Sequence, residues 1–177
     1  SDVHLFDGRI AAVWPSGSTP AQRARPDASI DGSGRTLLPG LFDMHGHVWT
    51  EQGLMHLAAG VTSVRDLAND NQVLFDLVRR WDSGLEAGPR VSINGFIEGR
   101  SPFSALNGIV AENLDEALAA VDWYAARGFR QLKLYNSIRP EWVQPIAARA
   151  HAQGLRVGGH VPAFMRAEQA VRAAEGY

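Results

Sequence analysis

The feature that most constrains the fold is a repeated junction, in which a helix-like segment ends at a glycine and an apolar run follows at once. The junctions are Gly60-Val-Thr-Ser-Val64, Gly128-Phe-Arg-Gln-Leu132, Gly154-Leu-Arg-Val157 and, at the last residues, Gly176-Tyr177. Glycine tolerates the left-handed conformation that commonly ends a helix. The chain is therefore predicted to alternate helices with buried strands, which is typical of a parallel sheet built from βαβ units.

Helical and strand periodicity assign the segments between these junctions. Apolar residues recur at helical spacing between Asp70 and Gly84, over 114–126 and after Pro140, and a last helix is predicted over 163–175. The apolar run from Leu37 to Phe42 is predicted to be a buried strand. The strands are predicted at Leu37–Asp43, Thr62–Leu67, Arg90–Ile97, Gln131–Tyr135 and Leu155–Val161.

Two parallel folds fit this alternation, a doubly wound sheet and a (β/α)8 barrel. A doubly wound nucleotide binder would carry a glycine-rich phosphate turn after its first strand, and this chain has none there. A barrel instead brings single residues from several strand ends to one face. Residues 98–112 form a long loop at that end, a candidate substrate lid or wall. The predicted fold is an incomplete α/β barrel, the first five βα units of a (β/α)8 barrel, with polar residues at its strand ends: His45, His47, Asp66, Lys133 and His160.

The first 36 residues follow a different pattern. Two short strands flank Asp7-Gly8, a favoured hairpin turn, and a polar loop with three prolines spans 15–29. Another strand and turn are predicted over Ala28–Thr36, and the whole element is too small to stand alone. We therefore divide the chain into a partial β-sandwich segment, residues 1–36, and the first part of a barrel domain, residues 37–177.

Composition excludes several classes of function. A net charge of −2 over 177 residues gives no electrostatic footprint for nucleic acid or an anionic membrane, and no apolar run reaches the length of a membrane-spanning helix. The lack of cysteine excludes disulfides, zinc–thiolate sites and a cysteine nucleophile. The compartment is left open, with the cytoplasm only slightly favoured, because a chain that starts with serine gives little information about a signal peptide.

Four residues carry the predicted chemistry. His45 and His47 are two residues apart on a strand, so their imidazoles point to one face and can share a metal. Lys133 lies between two leucines, where a buried ammonium is costly. Either an edge strand turns it towards water, or it is kept neutral and reactive towards carbon dioxide or a carbonyl. His160 closes the next strand after a Gly-Gly pair; taken alone, it fits a packed core histidine as well as a ligand.

These motifs resemble the amidohydrolase superfamily of metal-dependent hydrolases, in its prolidase-like and imidazolonepropionase-like branch. Leu38-Pro-Gly-Leu-Phe-Asp-Met-His-Gly-His47 is similar to the first-strand signature of that superfamily, and residues 60–67 resemble its second strand. Lys133 matches the fourth-strand lysine that is carboxylated in binuclear members, and residues 150–160 match the fifth-strand histidine with its preceding helix. Residues 7–10 resemble the β-sandwich segment before the barrel.

The resemblance implies a binuclear zinc centre that hydrolyses C–N bonds of small amide or dipeptide-like substrates. His45 and His47 would bind one zinc, His160 would help to bind a second, and carboxylated Lys133 would bridge them. An unmodified ammonium ~4 Å from a dication would be repelled by roughly 8 kcal/mol at an effective dielectric of about 20, whereas a carbamate is attracted and supplies two oxygen ligands. A water activated between the metals would attack the amide carbonyl, and Tyr135 would contact the substrate.

The remaining histidines are assigned structural roles. His4 lies on the first predicted hairpin with no second ligand near it, and His56 and His151 lie in helices and match no ligand position. Asp66 has two interpretations, support for the metal-binding histidines or a structural carboxylate at a strand end, and the sequence does not choose between them.

Two other functions stay open. A mononuclear deaminase or imidazolone-type cyclic amide hydrolase would use the histidines without a bridging carbamate, so Lys133 argues against it. A non-catalytic remnant would instead serve as an interaction module.

The resemblance also covers only part of the superfamily's chain. Complete barrels take about 250 residues, and the missing strands would bring another histidine and the aspartate that binds metal. We therefore expect the chain to belong to a longer protein and to be inactive alone. Its exposed strand edges would favour pairing with another copy, as a homo-oligomer or an aggregate.

Overall fold

The first unit of the molecule is a β-hairpin. The computed structural model describes residues 1–18 and 26–174, which form two units, Ser1–Leu38 and a larger one that begins at Pro39. In the first, β1 (Asp2–Phe6) pairs antiparallel with β2 (Arg9–Trp14). Asp7 and Gly8 have φ angles of 49° and 67°, as a type I′ turn requires. The predicted hairpin is confirmed.

The strand predicted over Ala28–Thr36 is wrong, and only the turn forms. The Asp31 side chain accepts a hydrogen bond from the Ser33 N–H (2.9 Å), and the Arg35 N–H donates to the Gly32 carbonyl (3.0 Å). A strand needs a partner, and within the described residues of this unit β1 and β2 pair only with each other. Ile30 is accordingly 95% exposed. Residues 19–25 of the predicted polar loop lie outside the described residues.

The second unit alternates strands with helices, as the glycine junctions predict. Gly60, Gly128 and Gly154 follow helices and have φ angles of 79°, 80° and 76°, so each takes the left-handed conformation that ends a helix. The elements in chain order are β3 (Leu41–Gly46), α1 (Gln52–Ala58), β4 (Val61–Asp66), α2 (Asn71–Asp82), β5 (Arg90–Ile93), β6 (Gly95–Gly99), β7 (Ile109–Ala111), α3 (Leu114–Ala125), β8 (Gln131–Leu134), α4 (Pro140–Ala152), β9 (Arg156–Gly159) and α5 (Ala167–Ala173).

The strands of this unit form two parallel sheets, with the orders β3-β4-β5 and β7-β6-β8-β9. The single strand predicted over Arg90–Ile97 is broken into β5 and β6 at Asn94. The Asn94 side chain donates to the carbonyl oxygens of Asp66 (2.6 Å) and Ser92 (3.1 Å), so side-chain hydrogen bonds replace ladder pairing at this position. The predicted mixed α/β fold with parallel strands is confirmed.

Three predictions about individual segments are wrong. The run from Leu37 to Phe42 is not buried, since Leu41 and Phe42 are 57% and 69% exposed; β3 starts only at Leu41 and lies at the edge of its sheet. The loop predicted over 98–112 ends in β7, which pairs with β6. The last helix starts at Ala167 rather than residue 163, after a turn in which Phe164 has a φ of 66°. Its predicted end at residue 175, and the Gly176-Tyr177 junction, lie outside the described residues.

The core lies where α3 and α4 pack against the second sheet. Fully buried Tyr124 of α3 donates its hydroxyl to the Phe96 carbonyl of β6 (2.9 Å), which fixes the helix over the strand. Helix α2 packs against this core through an edge-to-face contact between Phe75 and Phe129, with ring centroids 5.6 Å apart. None of the helices in the described part of the chain is long and apolar enough to cross a membrane.

Candidate functional site

Most of the predicted site residues lie at the carboxyl ends of the parallel strands. His45 lies in β3 with His47 just after it, Asp66 ends β4, Lys133 lies in β8, and His160 follows β9. The carboxyl ends of parallel strands share one edge of a sheet, which is where α/β proteins build their sites.

His47 presents one nitrogen of its ring to the site. Its Nδ1 lies 2.8 Å from the carbonyl oxygen of Ala68, and because a carbonyl only accepts, Nδ1 carries the proton. The Nε2 lone pair is therefore the one this tautomer offers as a ligand. A fixed tautomer of this kind is the usual arrangement of a metal-binding histidine.

His45 lies beside His47, with ring centroids 5.6 Å apart. Its backbone N–H donates to the Asp43 side chain (2.9 Å), which holds the strand end in place. Partial desolvation lowers the pKa of His45. The positive charge of Lys133 lowers it further, and the charge of His47 has a smaller effect in the same direction. Both effects favour the neutral imidazole, which is the form that binds metal.

Lys133 is 3% exposed, and β8 lies between β6 and β9. The interpretation that an edge strand turns this lysine towards water is therefore wrong. Its Nζ lies 5.1 Å from the centroid of the Tyr135 ring and 6.0 Å from that of Phe96, within cation–π range. Burial lowers the pKa of Lys133, and the negative charge of Asp66 opposes that shift. The amine is thus easier to deprotonate than a lysine in water.

His160 is half-buried and packs against Tyr135, with ring centroids 4.2 Å apart. Its Nδ1 lies 2.9 Å from Oδ1 of Asn136. Burial lowers the pKa of His160, and the charges of Lys133 and His45 lower it further. The charge of Lys133 thus lowers the pKa of both His45 and His160, although the three residues come from three strands.

Asp66 supports the backbone that follows His47. Its Oδ2 accepts from the Val48 N–H (2.8 Å) and from Nδ2 of Asn69 (2.9 Å), and its Oδ1 accepts from the Ala68 N–H (3.2 Å). Burial raises the pKa of Asp66, and these hydrogen bonds oppose the rise. The same segment supplies the Ala68 carbonyl that holds His47, so Asp66 stabilises the backbone around this histidine.

A pocket of about 290 Å³ opens beside these residues. Its walls combine aromatic and small side chains with one amide and two of the predicted ligands. Its lining residues are His47, Trp49, Ala68, Phe96, Ala105, Asn107, Lys133 and Tyr135. His45 and His160 are not among them, and adjoin the pocket through His47 and Tyr135 respectively.

The histidines do not form a complete metal-binding site by themselves. Within residues 1–18 and 26–174, no group of three or more histidine, cysteine, aspartate or glutamate side chains is arranged to hold a metal ion. Imidazole nitrogens of the kind found at these strand ends suit zinc, but a complete site would need further donors. Two other histidines of the second unit do not line the pocket: His56 is bonded through Nδ1 to the Gln52 carbonyl, and His151 is exposed on α4. His4 lies on β1 of the first unit.

Two buried polar residues beside the pocket were missed by sequence reasoning. Asn69 donates to the Val48 carbonyl and to Asp66. Glu98 is fully buried at the end of β6. The predicted strand ended at Ile97 and Glu98 was assigned to the loop over 98–112, whereas the observed strand β6 continues to Gly99; the burial of Glu98 was therefore not predicted.

Comparison with known proteins identifies the fold. No protein-family model matches the chain, and no curated protein matches it. A Bifidobacterium longum protein described as a prolidase is similar, at a TM-score of 0.70 and 25% identity, over 95% of this chain and 44% of that one. A bottromycin amidohydrolase matches 76% of this chain and 31% of its own, at a TM-score of 0.66 and 23% identity.

A third solved structure, of a Xaa-Pro dipeptidase with methionine in its active site, is similar at a TM-score of 0.58 and 21% identity. It covers 76% of this chain and 46% of its own. The chain thus shares the α/β fold of solved structures described as amidohydrolase, prolidase and dipeptidase, and the predicted resemblance is confirmed in these structural neighbours. The chain spans less than half the length of each of these three structures.

Proposed function

We propose that this chain supplies part of the active site of a metal-dependent hydrolase of C–N bonds in small amide or dipeptide-like substrates. The observation that carries the proposal is the placement of His47 and Lys133 in the lining of one pocket, with His45 packed against His47 and His160 packed against Tyr135 of the same lining. The solved structures of similar fold that are described as prolidase, dipeptidase and amidohydrolase support the reaction class.

The histidines would act as neutral ligands. His47 offers Nε2 because the Ala68 carbonyl holds its Nδ1 proton, and the lowered pKa values of His45 and His160 keep both rings unprotonated at neutral pH. A divalent metal such as zinc, when bound, would acidify a water molecule and polarise the substrate carbonyl. The residues present fit part of such a centre, and two metal ions are proposed for the complete protein.

Lys133 would add oxygen donors to these histidines as a carbamate. Burial favours its neutral amine, whose lone pair can form an N–C bond with carbon dioxide while one proton is released to solvent. The product is an anion with two oxygen donors. This modification replaces a cation that would repel a metal with an anion that attracts it.

The pocket walls would hold the substrate. Tyr135 lies between Lys133 and His160, with its ring 4.2 Å from the His160 ring, so we propose it as a substrate contact. Trp49 and Phe96 provide an apolar surface, and Asn107 offers an amide for a polar group of the substrate.

Metal removal tests the proposal. We expect the complete protein to hold about two metal ions per chain, and we expect a chelator to abolish dipeptide hydrolysis until zinc is restored. A His47→Asn variant should lose metal and activity, whereas His151→Asn, on an exposed face of α4, should lose neither. One metal per chain with Lys133 unmodified would favour a mononuclear hydrolase. A folded complete protein that binds no metal and cleaves no amide would contradict the proposal.

A further inference from the structure

Glu98 is a buried charged residue that the proposed chemistry does not use. Its side chain has 0% exposure, and burial of a carboxylate is costly unless donors surround it. Among the ion pairs of the described residues, none involves Glu98. Backbone N–H groups therefore have to satisfy it.

The donors to Glu98 come from three segments of the chain. Its Oε1 accepts from the N–H groups of Gly99 (2.9 Å) and Ser137 (2.8 Å), and its Oε2 accepts from the Ala105 N–H (3.4 Å). One carboxylate thereby joins the end of β6, the segment 100–108 and the loop between β8 and α4. We call residues 100–108 the pocket wall, because Ala105 and Asn107 line the pocket.

Serine hydroxyls reinforce the same junction. The hydroxyls of Ser101 and Ser137 lie 2.8 Å apart, and the Ser104 hydroxyl donates to the Gly99 carbonyl (2.5 Å). A Cβ at Gly99 would lie 2.1 Å from the Ser137 carbonyl oxygen, so the two segments approach too closely for any side chain there. The first half of the pocket wall is thus fixed by hydrogen bonds and by close backbone packing.

The far end of the pocket wall is fixed separately. The Gly108 N–H donates to the Asn69 carbonyl (2.9 Å), and a Cβ at Gly108 would lie 2.5 Å from the Phe96 carbonyl oxygen. The segment expected to be a lid or a wall is therefore held at both ends, as a wall would be. Glu98 accepts the hydrogen bonds that fix the first half of the pocket wall to the neighbouring segments.

We propose that Glu98 is a positioning residue, which sets the place of the pocket wall and of the Tyr135–Ser137 loop and so determines how tightly the substrate binds. The inference rests on the proposed hydrolase function for its kinetic consequence. Glu98 touches no substrate itself; it acts through Ala105, Asn107 and Tyr135, which line the pocket.

The test compares Glu98→Gln and Glu98→Ala in the complete protein. Glutamine keeps the shape but turns an NH2 group towards backbone donors, and alanine removes every acceptor. We expect the KM for a dipeptide substrate to rise at least about tenfold while kcat changes less than about threefold. Ile146→Ala, in the core face of α4, is the matched control: it should lower the Tm and leave KM unchanged. Glu98 variants that lose stability with KM unaltered would overturn the inference.

Hydrogen exchange gives a second readout that needs no activity. The N–H groups of residues 101–108 should exchange faster in Glu98→Gln than in the unsubstituted protein or in the Ile146→Ala control. If the unsubstituted protein cleaves no amide, the proposed function fails while exchange still decides the role of Glu98. Unchanged exchange rates across the pocket wall in Glu98→Gln would refute that role. This measurement on Glu98→Gln also tests the role if Glu98→Ala fails to fold.

Discussion

The side chain of Lys133 has almost no contact with water. It is 3% exposed, and aromatic rings take the place of water around it. Such a position is unfavourable for an ammonium and favourable for a neutral amine. This one residue separates the proposed binuclear hydrolase from a mononuclear one.

Replacement of Lys133 by arginine tests that distinction. Arginine keeps a positive charge but neither loses its proton nor forms a carbamate, so the proposed bridge would be lost. We expect kcat/KM to fall at least about 100-fold and the metal content to drop. Metal analysis and steady-state kinetics on the same preparation check this. A Lys133→Arg variant with full activity and full metal content would show that no carbamate is needed.

The sequence identified the ligand candidates because their signals are local. The spacing of His45 and His47 follows from the two-residue period of a strand, and Lys133 stands out as a charge within an apolar run. The role of Glu98 could not be read in the same way. Its donors include the N–H of Ser137, which is 39 positions away, and only the fold brings that group to it.

Helices α3 and α4 are joined on their outer face by one carboxylate. Asp122 accepts from Nε and Nη2 of Arg149 (2.8 and 2.7 Å) and from the Gln153 side chain (2.5 Å). The hydrogen bond and charge of Arg149 lower the pKa of Asp122. Both partners are about half exposed, so solvent screens the pair.

The pair gives a pH-dependent contribution to stability. Because the folded-state pKa of Asp122 is lowered, the contribution is present above the unfolded value of about 3.9 and is lost as the pH falls through the folded value. We expect Asp122→Asn to reduce the free energy of unfolding by up to about 1 kcal/mol at pH 7, and by less near about pH 3.5. Urea unfolding at both pH values measures the difference. In an Arg149→Gln background the same substitution should cost less, and an equal cost there would contradict the coupling.

Element boundaries were predictable where a single residue sets them. Gly60, Gly128 and Gly154 end their helices as the sequence indicates. The break between β5 and β6 was not predictable, because it depends on a hydrogen bond from Asn94 to the Asp66 carbonyl, 28 positions away. Long-range contacts of this kind leave no periodic signal in the sequence.

At the scale of the whole molecule, an antiparallel hairpin precedes a unit whose strands form two parallel sheets, with exposed apolar residues on β3. The sequence predicted the parallel alternation, since each βαβ unit has its own pattern, but it did not predict the exposure of Leu41 and Phe42. Exposure depends on what covers an edge strand, which the apolar run alone does not encode. The similar solved structures are longer than this chain, and the matched part covers less than half of each of them.

The central claim is that His45, His47, Lys133 and His160 converge on one metal centre. The most direct measurement is an anomalous difference map, collected at the zinc edge, from crystals of the complete protein grown with zinc. We predict peaks about 2.0–2.1 Å from ring nitrogens of His45, His47 and His160, with density for a carbamate on Lys133. Zinc bound elsewhere, or these side chains pointing away from any common centre, would contradict the account.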